Sequence, residues 1–153
     1  MKISGTAGRR VRLAILAASC AAILSGAAFA GDPIAERKAL MKTVGFSTKM
    51  AGAMVKGEAP FDAVKAELAM RAINAAATGL PHLFPESSKT GGETEASPKI
   101  WEDMSGFLKQ ADSLRESAGQ AIEAAKDAGT FKTAFGEVTK NCKSCHEAYR
   151  VKK

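Results

Sequence analysis

The chain has 153 residues, 46% of them hydrophobic, with 22 basic and 16 acidic side chains and a formal net charge of +6. Four basic residues (Lys2, Arg9, Arg10 and Arg12) and no acidic ones fall in the first thirty positions, so the remainder carries only +2. That near balance, with no basic stripe interleaved with aromatics, argues against nucleic acid as a partner.

The apolar run "LAILAASCAAILSGAAFA" follows the basic cluster and closes on Ala28-Phe29-Ala30, an A-x-A cleavage signal. Residues 1–30 are therefore expected to be a signal peptide removed on export to the periplasm, leaving one domain over 31–153. The run is too short and too rich in Ala, Gly and Ser for stable membrane insertion. Arg9-Arg10 lacks the Phe-Leu pattern of twin-arginine export. Cys20 has Ala17 three positions before it, where a lipoprotein site would carry Leu. Cleavage leaves two cysteines, Cys142 and Cys145.

The rest of the chain reads as all-α, with few β-branched runs and clear helical periodicity. A first helix over about 33–56 carries Ile34, Met41, Val44, Ala51 and Val55 on one stripe, and "KGEAP" breaks it. Asp62 is a good N-cap for a second, with Val64, Leu68, Ala72 and Ala75 on its expected inner face and Gly79 as its stop. Residues 80–98, with three prolines and two glycines, read as a long loop. Ser97 and Pro98 then open a third helix. Its inner face runs from Ile100 through Met104, Phe107, Ala111, Leu114 and Ala118 to Ala125, and Gly129 is expected to end it. The fourth helix starts at Thr130, with Phe131, Phe135, Val138, Cys142, Cys145 and Tyr149 along a heptad-like seam. Four amphipathic helices that must cover one another's apolar stripes predict an antiparallel four-helix bundle.

"CKSCH" at 142–146 carries the chemistry. On a helix Cys142 and Cys145 project from one side, with His146 four residues beyond Cys142. Two such thiols can add across the vinyl groups of a haem while the imidazole reaches the iron, and C-x-x-C-H is the attachment pattern for c-type haem. A thioredoxin-like pair would instead open a helix after a strand, where the helix dipole activates a thiol. Structural zinc needs four ligands, and outside the motif only His82 remains as a donor of the usual kind. A local disulfide would leave His146 without a role. No nucleophile–base pair, phosphate-cradling loop or paired carboxylates suggest an enzyme.

The chain resembles the class II c-type cytochromes, which include cytochrome c′ and the low-spin cytochromes c-556. The resemblance rests on "RKALMK" at 37–42, "GAMVKGEAPFDA" at 52–63, "LPHLFPESS" at 80–88, "SPKIWEDMSGF" at 97–107 and "NCKSCHEAYR" at 141–150, in the family's order. It implies one covalent haem c on Cys142 and Cys145, with His146 as the iron ligand. It also points to Met41 opposite, on the stripe of the first helix, as a second ligand; a thioether suits haem iron.

With Met41 bound, the iron would be six-coordinate and low-spin, suited to electron transfer with protein redox partners. With Met41 only packing, it would be five-coordinate, as in cytochrome c′, and open to nitric oxide or carbon monoxide. "LPHLFPESS" and "SPKIWE" resemble the low-spin branch, which is the expectation here. Arg37 departs toward the cytochrome c′ pattern, where an arginine lies near a haem propionate; a solvated helix residue is the alternative. Gly45 and Gly136 would let a porphyrin or a helix come close. Lys140, Lys143, Lys152 and Lys153 could steer an acidic partner. A homodimer stays open as the assembly.

Overall fold

The structure is a computed structural model that describes residues 31–151; the expected signal peptide, Lys152 and Lys153 lie outside the described residues. Four long helices, α1 (Pro33–Val55), α2 (Ala63–Gly79), α4 (Met104–Ala124) and α5 (Ala128–Tyr149), form a four-helix bundle, with α3 (Lys99–Glu102) a single turn ahead of α4. Each long helix starts on an aspartate whose carboxylate accepts a backbone N–H of the first turn. Asp32 takes Ile34 N, Asp62 takes Lys65 N, Asp103 takes Gly106 N and Asp127 takes Thr130 N, at 2.9–3.1 Å. α1 stops at Gly57, whose φ of +76° is open to glycine at no steric cost.

Two buried clusters form inside the bundle. The larger joins Val44, Ala51 and Met54 of α1 to Met70 and Ile73 of α2, Leu114 and Ala118 of α4, and Phe131, Phe135 and Val138 of α5. The smaller joins Leu80, Phe84, Ile100, Phe107 and Tyr149. The periodicity of α1, α4 and α5 predicts these faces correctly.

Three local expectations need correction. α2 buries Ala66, Ala69, Met70, Ile73, Ala76 and Ala77, while Val64 and Leu68 remain 66% and 58% exposed. Two apolar stripes compete on this helix, and the alanine-rich one wins because small side chains let α2 lie close against α1 and α4. The third helix is not continuous from Pro98: the chain breaks at Asp103 (φ −133°, ψ 58°), whose side chain caps α4. Gly129 does not end that helix; Asp127 has already capped α5, and Gly129 lies within its first turn. Inside residues 80–98, two 3-10 turns (Leu80–Leu83 and Glu86–Ser88) order the loop.

Candidate functional site

α5 presents Cys142 and Cys145 half-buried on the face that holds Phe135, Val138 and Tyr149 inside. Both thiols are free. Burial pushes Cys145 up to about 11, with a smaller push from Cys142, and burial likewise raises Cys142. These are protonated, unactivated thiols, which argues against a redox-active dithiol. Among the described residues no three His, Cys, Asp or Glu side chains converge on a metal-sized site. His146 follows directly and reaches the surface. Desolvation first, then the charge of Arg150, lowers its pKa, with Glu95 opposing. That direction favours the neutral imidazole, the form that binds iron.

Met41 lies half-buried on α1 and packs against both clusters, whereas Cys142 packs against the larger and Cys145 against the smaller. Met41 thus bridges the two clusters, and each cysteine borders one. The helices that carry them, α1 and α5, touch far less than α1 does α2, or α5 does α4. This is the loosest seam between adjacent long helices, and the two helices that flank it carry two thiols, an imidazole and a thioether, a donor set that suits haem. Gly45, one turn after Met41, and Gly136 on α5 are exposed, and a Cβ added at either would meet no atom within 4 Å. The residues fit a haem.

Arg37, one turn before Met41, is not the solvated residue that one sequence reading allows. It is only 4% exposed. Its Nη1 donates to Leu83 O at 3.2 Å and Ser88 Oγ at 3.0 Å, and its Nη2 to Ser88 O and Thr94 Oγ1, each at 3.0 Å. The guanidinium carbon lies 4.9 Å from the Phe84 ring centroid and 5.8 Å from that of Trp101, within cation–π range. Arg37 thus ties the 80–98 loop to α1. One donor is left: Nε is buried and unpartnered, a cost of roughly 1–3 kcal/mol unless an acceptor meets it.

Other candidates separate clearly. His82 is exposed. Trp101 and Phe107 belong to the aromatic cluster, with Trp101 Nε1 donating to Phe84 O at 3.2 Å. Lys140 and Lys143 pair with Glu137 at 3.4 Å and Glu147 at 3.8 Å on their own helix, which weakens the basic steering patch. Sequence reasoning missed Ser88, Thr94, Glu95 and Asp103 as partners of Arg37, Arg150 and Tyr149. Their only signal is polar character inside or beside a proline-rich loop.

The family described as Cytochrome C′ matches residues 32–150. A cytochrome c′ of Rhodopseudomonas palustris is 46% identical over 122 residues, covering 80% of this chain and 84% of that protein. A cytochrome c-556 of Agrobacterium fabrum is 33% identical, covering 86% and 89%. Among solved structures, cytochrome c′ from Rhodopseudomonas palustris superposes with a TM-score of 0.77 at 46% identity, covering 80% of this chain and 98% of that one. Another cytochrome c′, described as having ligand-controlled dimer dissociation, superposes with a TM-score of 0.73 at 30% identity, covering 78% and 95%. The chain belongs to the cytochrome c′ family, the class II c-type cytochromes, with a helical bundle as its fold and haem c as its cofactor.

Proposed function

We propose that this chain is an exported, periplasmic haem c protein of the open-site kind. In this reading Cys142 and Cys145 attach the haem, His146 binds the iron, and Met41 covers the opposite face without binding it. Arg37 offers its remaining Nε–H to a haem carboxylate. The haem supplies a one-electron redox centre and an axial position for a diatomic ligand such as nitric oxide or carbon monoxide. The single observation that supports the site is that Met41 of α1 packs against both clusters while Cys142 and Cys145 of α5 pack against one each, on the adjacent long helices that touch least.

Each residue's part follows from its place. Cys142 and Cys145, three apart on one helical face, present their sulfurs together for thioether formation. His146 follows in the same turn, with its neutral form favoured by desolvation. Arg37 already spends two nitrogens on the loop, so its third can fix a carboxylate without moving the helix. The open site is favoured over the closed one that the loop motifs suggest, because the relative 46% identical is a cytochrome c′ and the buried Arg37 follows that branch's pattern. Met41 itself supports the second reading: a thioether stands one turn from Arg37 on the half-buried stripe, and a cytochrome c-556 is also a relative. Carbon monoxide added to the ferrous protein decides. Prompt, complete binding is expected for the open site; negligible binding that becomes prompt in Met41→Ala would establish ligation by Met41 instead.

We also infer a homodimer. Phe46, Val64 and Leu68 leave 58–70% of their surface exposed on α1 and α2, and a solved relative is described as a dimer. Sedimentation should find a dimer that Leu68→Glu dissociates; a monomeric wild type at micromolar concentration would contradict this.

A further inference from the structure

The last turn of α5 carries Cys145 and His146, and helix ends fray unless they are tied down. This end is strapped. Ser97 N–H donates to Tyr149 O at 2.9 Å and Val151 N–H to Glu95 O at 2.8 Å, with Ala96 facing Arg150 in an isolated antiparallel bridge. Arg150, the C-cap residue of α5, donates its backbone N–H to His146 O at 3.2 Å. Its Nε donates to Glu95 Oε2 at 2.7 Å, and its Nη2 reaches the same oxygen.

The segment on the other side of the strap is not free either. Thr94 Oγ1 accepts from Arg37 Nη2 at 3.0 Å and from Ala96 N at 3.1 Å. An unbroken set of contacts therefore runs from Arg37 on α1, through Thr94–Ala96, to Arg150 and the turn that carries His146. α1 and α5 touch little directly and are joined by this polar bridge.

We propose that the Glu95–Arg150 ion pair and its strap are a positioning device for His146: they hold the haem-bearing turn of α5 in place and set the iron's reduction potential through two opposed charges. The inference rests on His146 as the iron ligand. Arg150 caps the turn that carries His146, with its backbone N–H on His146 O, and Glu95 holds the Arg150 guanidinium beside that turn. A carboxylate near the iron stabilises the ferric state and a guanidinium the ferrous one, through their Coulomb interaction with its charge. Ligands oriented by outer partners of this kind lose function when those partners are removed.

The test uses the haem-loaded protein and the substitutions Glu95→Gln and Arg150→Gln, each of which breaks the same pair. Both should speed amide exchange at Ser97 and Val151, and the charge-swapped double variant Glu95→Arg with Arg150→Glu should restore protection. The potentials should separate: Glu95→Gln raises the reduction potential and Arg150→Gln lowers it, with a larger gap at low ionic strength than at high. Potentials that stay at the wild-type value, or that move in the same direction in both variants, would overturn the proposal and leave the pair a structural clasp. A spectrum unchanged in His146→Ala would overturn it differently, by removing the ligand on which it rests.

Discussion

The two buried clusters of this bundle are built by different means. Half of the sixteen residues in the larger are alanine, so its helices close on one another through small side chains at regular spacing. The smaller has no alanine among its buried members; Phe84, Phe107 and Tyr149 fill it, edge to face. It gathers the 80–98 loop, α3, the start of α4 and the end of α5, and polar bonds run through it: Arg37 to the loop, Trp101 to Phe84 O, and Tyr149 OH to Asp103 at 2.7 Å. The first region is a scaffold that helix periodicity can specify. The second is a site framework whose geometry depends on contacts between residues some fifty positions apart, such as Arg37 with Ser88.

Removing the haem should break the comparison most severely. With Cys142 and Cys145 both changed to alanine, covalent attachment is lost, and an unfilled seam between α1 and α5 costs several kcal/mol, as large buried deletions do (roughly 2–5 kcal/mol for one side chain). The expected apo form stays helical by far-UV circular dichroism but loses near-UV signal. Amide exchange should accelerate first in Leu80–Phe107 and the last turn of α5, and last in α2. Uniform protection matching the haem-loaded protein would contradict a site region that depends on its cofactor.

Phe131→Ala and Ile73→Ala probe the larger cluster alone. Each side chain is fully buried, and about 3–5 and 2–5 kcal/mol respectively should be lost in denaturant unfolding, with the haem spectrum unchanged. Arg37→Ala should cost less, about 2–3 kcal/mol, from the acceptors it strands in the loop. Unlike the core substitutions, it should also perturb the haem spectrum and open residues 83–94 to proteolysis. Arg37→Lys should not rescue it, because an ammonium lacks the planar fork that serves both Ser88 and Thr94.

A smaller effect comes from the Tyr149–Asp103 bond. That bond, then the Gly106 amide, lowers the Asp103 carboxyl, and the same bond raises the Tyr149 hydroxyl. The depressed carboxyl contributes stability above its unfolded pKa of about 4 that is lost as pH falls through its folded value. The raised phenol contributes stability below about pH 10 that is lost as pH rises through its folded value. Tyr149→Phe should thus lower stability across neutral pH and flatten both limbs in pH-dependent unfolding. Least of all should come from Val64→Ser and Leu68→Ser, within about 0.5 kcal/mol for exposed positions in the monomer.

The same contrast explains what the sequence alone could reveal. The helices of the bundle, the aspartate start at Asp62 and the inward seam of α5 follow from the sequence, because a buried stripe must repeat every three to four residues and an aspartate caps a first turn well. Cys142, Cys145 and His146 stand out as candidates because haem attachment needs that spacing in one short segment. α2 was misread because alanine carries little weight in a hydrophobic pattern, although close packing prefers it over Val64 and Leu68. The break at Asp103 was hidden inside an otherwise continuous stripe from Ile100 to Phe107. Arg37's bonds to Leu83, Ser88 and Thr94, and the Glu95–Arg150 strap, leave no periodic trace, since each joins a loop to a distant helix.

The central claim is that one haem is bonded through Cys142 and Cys145 in the last turns of α5. Mass spectrometry of protease fragments from protein matured in a periplasm tests it most directly. The account predicts that the fragment containing residues 142–146 carries the mass of one haem, retained after acid–acetone extraction. Recovery of that fragment with two free thiols, and of haem in the extract, would contradict it.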